Sequence, residues 1–169
     1  PMFNTAEDLS RLRQYAGYFV RHNCGMQEFI DGSQLAQATG VRHMLERARI
    51  GWPWCTGALY YKLNDNYPAA SWATVDWYGA PKSAYYIIQD SFQPLCALIL
   101  CDRLNFQGTP AAFPVFLLDD AKTMTGEGWN ISIRAYDGEL KRIKEEYFET
   151  AATASKPMYL GEFRLSAEE

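Results

Sequence analysis

The sequence predicts an α+β chain in which helices come first and strands follow. Three observations predict it. Apolar residues recur at helical spacing before residue 93. Past that point the chain switches to short, alternating strand-like runs separated by turn residues. Between the helical patterns, residues 57–63 (GALYYKL) form an apolar run that ends abruptly in Asn64-Asp65-Asn66. The boundary between the two characters falls near residue 93, giving one unit over 1–92 and a second over 93–169.

The first helix is expected over residues 5–22. Thr5 caps it, Asp8 stands three residues on, and Leu9, Leu12, Tyr15, Ala16 and Phe19 share one face. Asn23-Cys24-Gly25 closes it, because glycine accepts the left-handed cap. A second helix is expected over residues 33–50, with Leu35, Ala38, Met44, Leu45 and Ala48 as its apolar points. Gly40 inside it costs about 1 kcal/mol relative to alanine, and close packing against a neighbour is the expected reason for it. Residues 56–63 read as a buried strand emptying into a polar, aromatic loop with Tyr67, Trp72, Trp77 and Tyr78. Pro81 opens a third helix over 82–92, where a missing N–H is harmless. Strands are then expected over 95–105, 112–118, 129–136, 143–148 and 158–165. Asp137-Gly138 is a turn, and residues 108–110 and 125–128 are loops. Ile131, Ile133 and Ala135 alternate with polar or aromatic neighbours, as in a half-exposed strand. The KRIKEE run at 141–146 reads as a solvated strand face.

Composition narrows the function. The chain has 169 residues, 48% hydrophobic and 21% charged, with a net charge of −4. That describes a globular protein without the basic surface that grips phosphate backbones, so nucleic acid is not an expected partner. No apolar run is long enough to span a bilayer, and the first residues have neither a basic start nor an apolar signal core. The four cysteines, Cys24, Cys55, Cys96 and Cys101, show no framework spacing, and reduced, buried thiols in a cytoplasmic protein are expected. On one regular strand Cys96 and Cys101 would face opposite sides. His22, Cys24, His43 and Cys55 stand at no recognised metal-ligand spacing, and neither a phosphate loop nor a nucleophile elbow is present, so no metal or cofactor is expected. The aromatic-rich loop suits sugars. Pyranose rings stack on aromatic faces, and their hydroxyls need amide and carboxylate partners.

The stretches SQLAQATGVRHMLERAR and CTGALYYKLNDNYPAASWATVDWYGAPKSAYYIIQDSFQPL resemble the end of the catalytic barrel of glycoside hydrolase family 2, its β-mannosidase branch above all. The family pattern has an SQ-x-x-QA helix, a GALYWQLND-x-WP strand and loop, and SWSS-x-DYYGR-x-K before a further helix. It is matched at Ser33, Gln34, Gln37, Ala38, residues 57–60 and 63–65, Pro68, Ser71, Trp72, Asp76, Tyr78, Gly79 and Lys82. The resemblance covers roughly residues 25–95. It implies that 1–92 is the C-terminal part of a (β/α)8 barrel, and that 93–169 is an incomplete immunoglobulin-like antiparallel β-sandwich. Two departures stand out: Tyr61-Lys62 replaces a Trp-Gln pair whose Trp, in the family, lies at the sugar-binding end of the last barrel strand, and Tyr67 replaces the Trp of the WP pair.

A closed barrel needs about 250 residues, and retaining glycosidases use two carboxyl groups about 5–5.5 Å apart. The resemblance implies that both acids lie upstream of anything in this sequence. Glu28, in MQEFIDGSQ, falls after the nucleophile strand and reads as a structural acid. Asp65 and Asp76 are not placed as a pair by sequence, and Asn64, Asp65 and Asn66 suit hydrogen bonds to loop backbone. The expectation is therefore a C-terminal piece of a retaining β-mannosidase-like enzyme, truncated at both ends. It has no catalytic residue of its own and is inactive alone. Tyr61, Asn64, Asp65 and Trp72 contact a β-linked saccharide in the intact enzyme. Its other partner is the missing upstream barrel segment, and exposed strand edges favour self-association. A non-catalytic carbohydrate-binding module presenting Trp72, Trp77 and Tyr78 is the alternative.

Overall fold

Helix α1, Ala6–Ala16, ends before residue 22 because the chain turns at Gly17. The Phe19 and Val20 N–H groups both converge on the Ala16 carbonyl, at 2.9 and 3.0 Å. That turn lets Val20 lie against the next helix. The computed structural model describes residues 6–103, 106, 108–122, 128–150 and 156–167; the Thr5 cap lies outside them. The chain divides into two units, Pro1–Arg47 with Gly57–Phe92, and Ala48–Thr56 with Gln93–Glu169.

Helix α2, Met26–Ile50, starts seven residues earlier than the expected 33. Gly25 is its N-cap. The Phe29 N–H donates to the Gly25 carbonyl at 3.0 Å, and the Gly25 N–H donates to Glu28 Oε2 at 2.9 Å. This is the reach-back half of a capping box, so Glu28 serves a helix end. The glycine expectation is also corrected. Nothing lies within 4 Å of a Cβ built on Gly40, which is exposed, whereas one on Gly32 would meet both Val20 methyls at 2.8 Å. Close packing is therefore the reason for Gly32 and not for Gly40. Ala38 and Leu45 are buried, but Leu35 and Met44, expected beside them, are exposed.

The expected buried strand over 56–63 is not formed. Leu59 is 98% exposed, Tyr61 75% and Leu63 64%. Apolar sequence supplies one requirement of a strand; the other is lateral hydrogen-bonding partners. Among the described residues the only bridges nearby are Asn64 to Val75, parallel, and Val75 to Pro81, antiparallel. Helix α3, Ser83–Ser91, follows an extended Lys82, so Pro81 lies just outside the first turn.

Among the described residues the second unit holds five strands, β1 Leu95–Ile99, β2 Ala111–Asp119, β3 Trp129–Tyr136, β4 Arg142–Thr150 and β5 Met158–Leu165. One antiparallel sheet has the order β1-β2-β5, and the β3-β4 hairpin forms a second. Strand β1 stops short of the expected 105; positions 104 and 105 lie outside the described residues. Alternation puts Val115 of β2, Ile133 of β3, Phe148 of β4 and Phe163 of β5 into one core spanning both sheets, with Ile131 and Ala135 against it. Gly161, at φ +139°, lies beside a register slip at Val115/Phe116; a Cβ there would sit 3.3 Å from the Phe148 ring. In the hairpin turn, Asp137 Oδ1 accepts the N–H groups of Glu139 and Lys141, each at 2.9 Å. The left-handed residue of that turn is Leu140, at φ 61°. The KRIKEE run is only partly solvated: Lys144, Glu145 and Glu146 are half-buried, and Lys144 Nζ lies 5.6 Å from the Phe163 ring centroid.

The cysteines carry no disulfide, but the expectation of burial is corrected. Cys24, Cys55 and Cys96 are half-buried and Cys101 is exposed. Cys101 also lies beyond the end of β1, so it shares no strand with Cys96. Among the described residues no helix is long and apolar enough to cross a membrane.

Candidate functional site

Residues 60–83 of the first unit form a loop whose backbone is held by its own carbonyls and amides. Val75 N–H donates to the Leu63 carbonyl at 2.8 Å, Asp65 N–H to Val75 at 3.0 Å, and Lys82 N–H to Thr74 at 2.8 Å. These bonds draw the Leu63–Asp65 corner, the Ala73–Val75 turn and the start of α3 into one knot. Aromatic side chains stand out from it: Tyr61, Tyr67, Trp72, Trp77 and Tyr78 are all exposed.

Asp65 is the electrostatic centre of the knot. It is only 4% exposed. Its Oδ1 accepts the Ser71 hydroxyl at 2.6 Å and lies 3.1 Å from Lys62 Nζ; its Oδ2 lies 3.5 Å from Lys82 Nζ. Burial pushes the Asp65 carboxyl upward, but the Ser71 hydroxyl and the two ammonium groups outweigh it and hold the group below its ordinary value. A carboxylate so engaged is a fixed anion within the loop. Its partners are side chains, not the loop backbone the sequence suggested. Asn64 does follow that suggestion, donating from Nδ2 to the Asp65 carbonyl at 3.2 Å, whereas Asn66 Oδ1 accepts from Lys62 Nζ at 3.5 Å.

The other acids weighed from the sequence are committed elsewhere. Asp76 Oδ1 accepts the N–H groups of Tyr78 and Ala80, at 2.9 and 2.8 Å, closing an Asx turn. Glu28 caps α2. Among the described residues no group of three His, Cys, Asp or Glu could hold a metal ion.

Of the four residues expected at a sugar site, Tyr61, Asn64 and Trp72 are exposed and Asp65 is not. Sequence reasoning missed the side chains beneath them. Gln37 Nε2 donates to the Trp72 carbonyl at 2.7 Å and to Tyr60 Oη at 2.9 Å, and Tyr60 Oη donates to the same carbonyl at 2.5 Å. Gln34 Oε1 accepts the Ser83 N–H at 3.1 Å, capping α3, whose own N-cap Lys82 provides no side-chain bond. Gln34 and Gln37 stand three apart on α2, hence on one face. The SQ-x-x-QA spacing was the available signal, although their targets are out of its reach. Below this loop a hollow of about 280 Å³ is lined by Tyr60, Leu63, Thr74, Tyr85, Ile88 and Gln89.

No family model matches the chain. β-Mannosidase B of Aspergillus niger is 30% identical over 126 residues, which cover 71% of this chain and 14% of that protein. β-Mannosidase B of Emericella nidulans is 34% identical over 126 residues, with the same coverage of 71% and 14%. A β-D-mannosidase from Dictyoglomus thermophilum superposes with a TM-score of 0.67 at 24% identity, over 95% of this chain and 19% of that one. An exo-chitosanase of Amycolatopsis orientalis gives 0.62 at 15% identity, over 92% and 20%. These likenesses bear out the resemblance read from the sequence, and the matched stretch spans 14% of the length of each of these two curated relatives.

Proposed function

We infer that this chain, which resembles the β-mannosidase-like branch of glycoside hydrolase family 2, is a portion of a retaining glycosidase acting on β-linked sugars. In this reading residues 1–92 belong to the end of a (β/α)8 barrel and residues 93–169 form an immunoglobulin-like sandwich. One observation carries it. The apolar side chains of Leu59, Tyr61 and Leu63 are exposed and residues 58–63 form no β-strand among the described residues, yet they lead directly into a loop fixed by buried polar groups. That combination suits a barrel stave whose neighbours belong to further polypeptide, with an ordered sugar-facing loop at its end. Tyr61, Asn64 and Trp72 are the proposed saccharide contacts. Asp65 supports them from below through Ser71 and the two lysines.

The chain alone is proposed to be inactive. Glu28, Asp65 and Asp76 are each bonded into local structure, which leaves none of them as a free partner in a two-carboxylate mechanism. Four thiols without a disulfide support a cytoplasmic location. The test is an assay of the purified chain on aryl β-mannosides. No turnover above buffer is expected; turnover abolished by Asp65→Asn or Glu28→Gln would overturn the reading. A second reading, a non-catalytic saccharide-binding module, is favoured by the exposed rings of Trp72, Trp77 and Tyr78. Saturable binding of manno-oligosaccharides by the chain that is lost in Trp77→Ala and Tyr78→Ala as well as in Trp72→Ala would support it.

A further inference from the structure

The Ser71-Trp72 dipeptide is held far more firmly than an exposed loop requires. Four side chains converge on it. Gln37 and Tyr60 both donate to the Trp72 carbonyl, at 2.7 and 2.5 Å. Asp65 accepts the Ser71 hydroxyl at 2.6 Å, and Lys82 Nζ donates to the Ser71 carbonyl at 3.2 Å. The Ser71 hydroxyl in turn accepts the Ala73 N–H at 3.0 Å. All four anchoring side chains are buried or half-buried, whereas the residue they fix is 59% exposed. Buried polar groups are stabilising only when satisfied, so the network is committed to one backbone geometry. An exposed indole gains nothing for the core from such anchoring. It does gain a fixed backbone beneath its Cβ, which narrows where the ring can stand and so lowers the ordering cost of stacking a sugar against it.

We propose that Gln37 and Tyr60 are positioning residues that set the Trp72 indole as a rigid stacking face for a pyranose ring. Neither touches the sugar; both act through the Trp72 carbonyl. Gln37 belongs to α2 and Tyr60 to the segment leading into the loop, so the loop is pinned to a helix far from it in sequence. Burial raises the Tyr60 hydroxyl above its ordinary value, more than the Gln37 contact lowers it, so it remains a proton donor across the physiological range. The proposal rests on the reading of Trp72 as a saccharide contact.

The experiment uses the full chain, with Tyr60→Phe, Gln37→Leu and Trp72→Phe variants. Indole ¹⁵N relaxation reports the order of Trp72, its signal assigned by loss in Trp72→Phe. Titration with mannopentaose reports binding. In Tyr60→Phe, which keeps the ring, the Trp72 order parameter is expected to fall while the other indoles and the melting temperature hold. Affinity for mannopentaose is expected to drop about tenfold. Gln37→Leu should reproduce both effects; if it fails to fold, Tyr60→Phe carries the test. An unchanged Trp72 order parameter in folded Tyr60→Phe overturns the positioning role, whatever the sugar does. Binding that Trp72→Phe weakens but Tyr60→Phe leaves alone also overturns it, while sparing Trp72 as a contact. No binding by the unmodified chain, or binding indifferent to Trp72→Phe, overturns the contact itself and the positioning role with it.

Discussion

The β-rich unit and the helical unit solve the same problem with opposite completeness. In the former, every strand has a partner and both sheets share the Val115, Ile133, Phe148 and Phe163 core. In the latter, the mostly apolar run 57–63 forms no strand among the described residues, and Leu59 is 98% exposed. Apolar sequence makes a strand only where hydrogen-bonding partners are within reach. The loop that follows is nevertheless held by polar groups, the Asp65 cluster and the two glutamines of α2, above an apolar set that includes Ala38, Leu45, Ala73 and Ala84.

The contrast can be broken most severely in the β core. Phe148→Ala removes a ring shared by both sheets and is expected to cost about 3–5 kcal/mol in urea unfolding. Next comes the polar centre of the helical unit. Asp65→Asn leaves two half-buried ammonium groups without their anion and is expected to cost roughly 3 kcal/mol, read as loss of the loop's amide protection. The pH dependence follows from the lowered carboxyl. Its contribution is fully present above the ordinary value of 3.8 and is lost as pH falls through the lower folded value. Loop amides in the unmodified chain should therefore remain protected at pH 5 and lose protection in stronger acid, whereas Asp65→Asn should lack that acid transition.

Smaller effects sharpen the comparison. Leu140 holds a left-handed conformation with its side chain 82% exposed, so Leu140→Gly is expected to raise the stability of the β unit by about 1 kcal/mol. Leu59→Ser should change unfolding by less than about 0.5 kcal/mol, since the side chain buries nothing in the chain. It should, however, lower the apparent mass in light scattering at high concentration if the exposed segment drives self-association. Equal masses for Leu59→Ser and the unmodified chain would remove that role.

Much of the β unit was legible in sequence. Strands β3 and β5 run over the residues expected, and in β3 the alternation of Ile131, Ile133 and Ala135 with polar or aromatic neighbours was the signal. Boundaries set by backbone chemistry were harder. The start of α2 depends on Gly25 and Glu28 bonding to each other, and α1 ends where Val20 must reach Gly32. The same contact explains the misplaced glycine: composition cannot tell which of Gly32 and Gly40 faces a neighbour. At the candidate site, the aromatic loop and Asn64-Asp65 were visible as a cluster of residue types. The burial of Asp65 and the Gln37–Tyr60–Trp72 bonds join positions up to 35 apart, and no local pattern encodes such a link.

Amide hydrogen exchange on the dilute chain distinguishes a 58–62 segment without strand partners from one that has found them. Near-unprotected exchange is expected at residues 58–62 beside strong protection at Asp65, Val75 and Lys82, whose N–H groups are bonded within the loop. Protection of 58–62 at the level of β2 would contradict that expectation, because the segment would then have found its strand partners within this sequence.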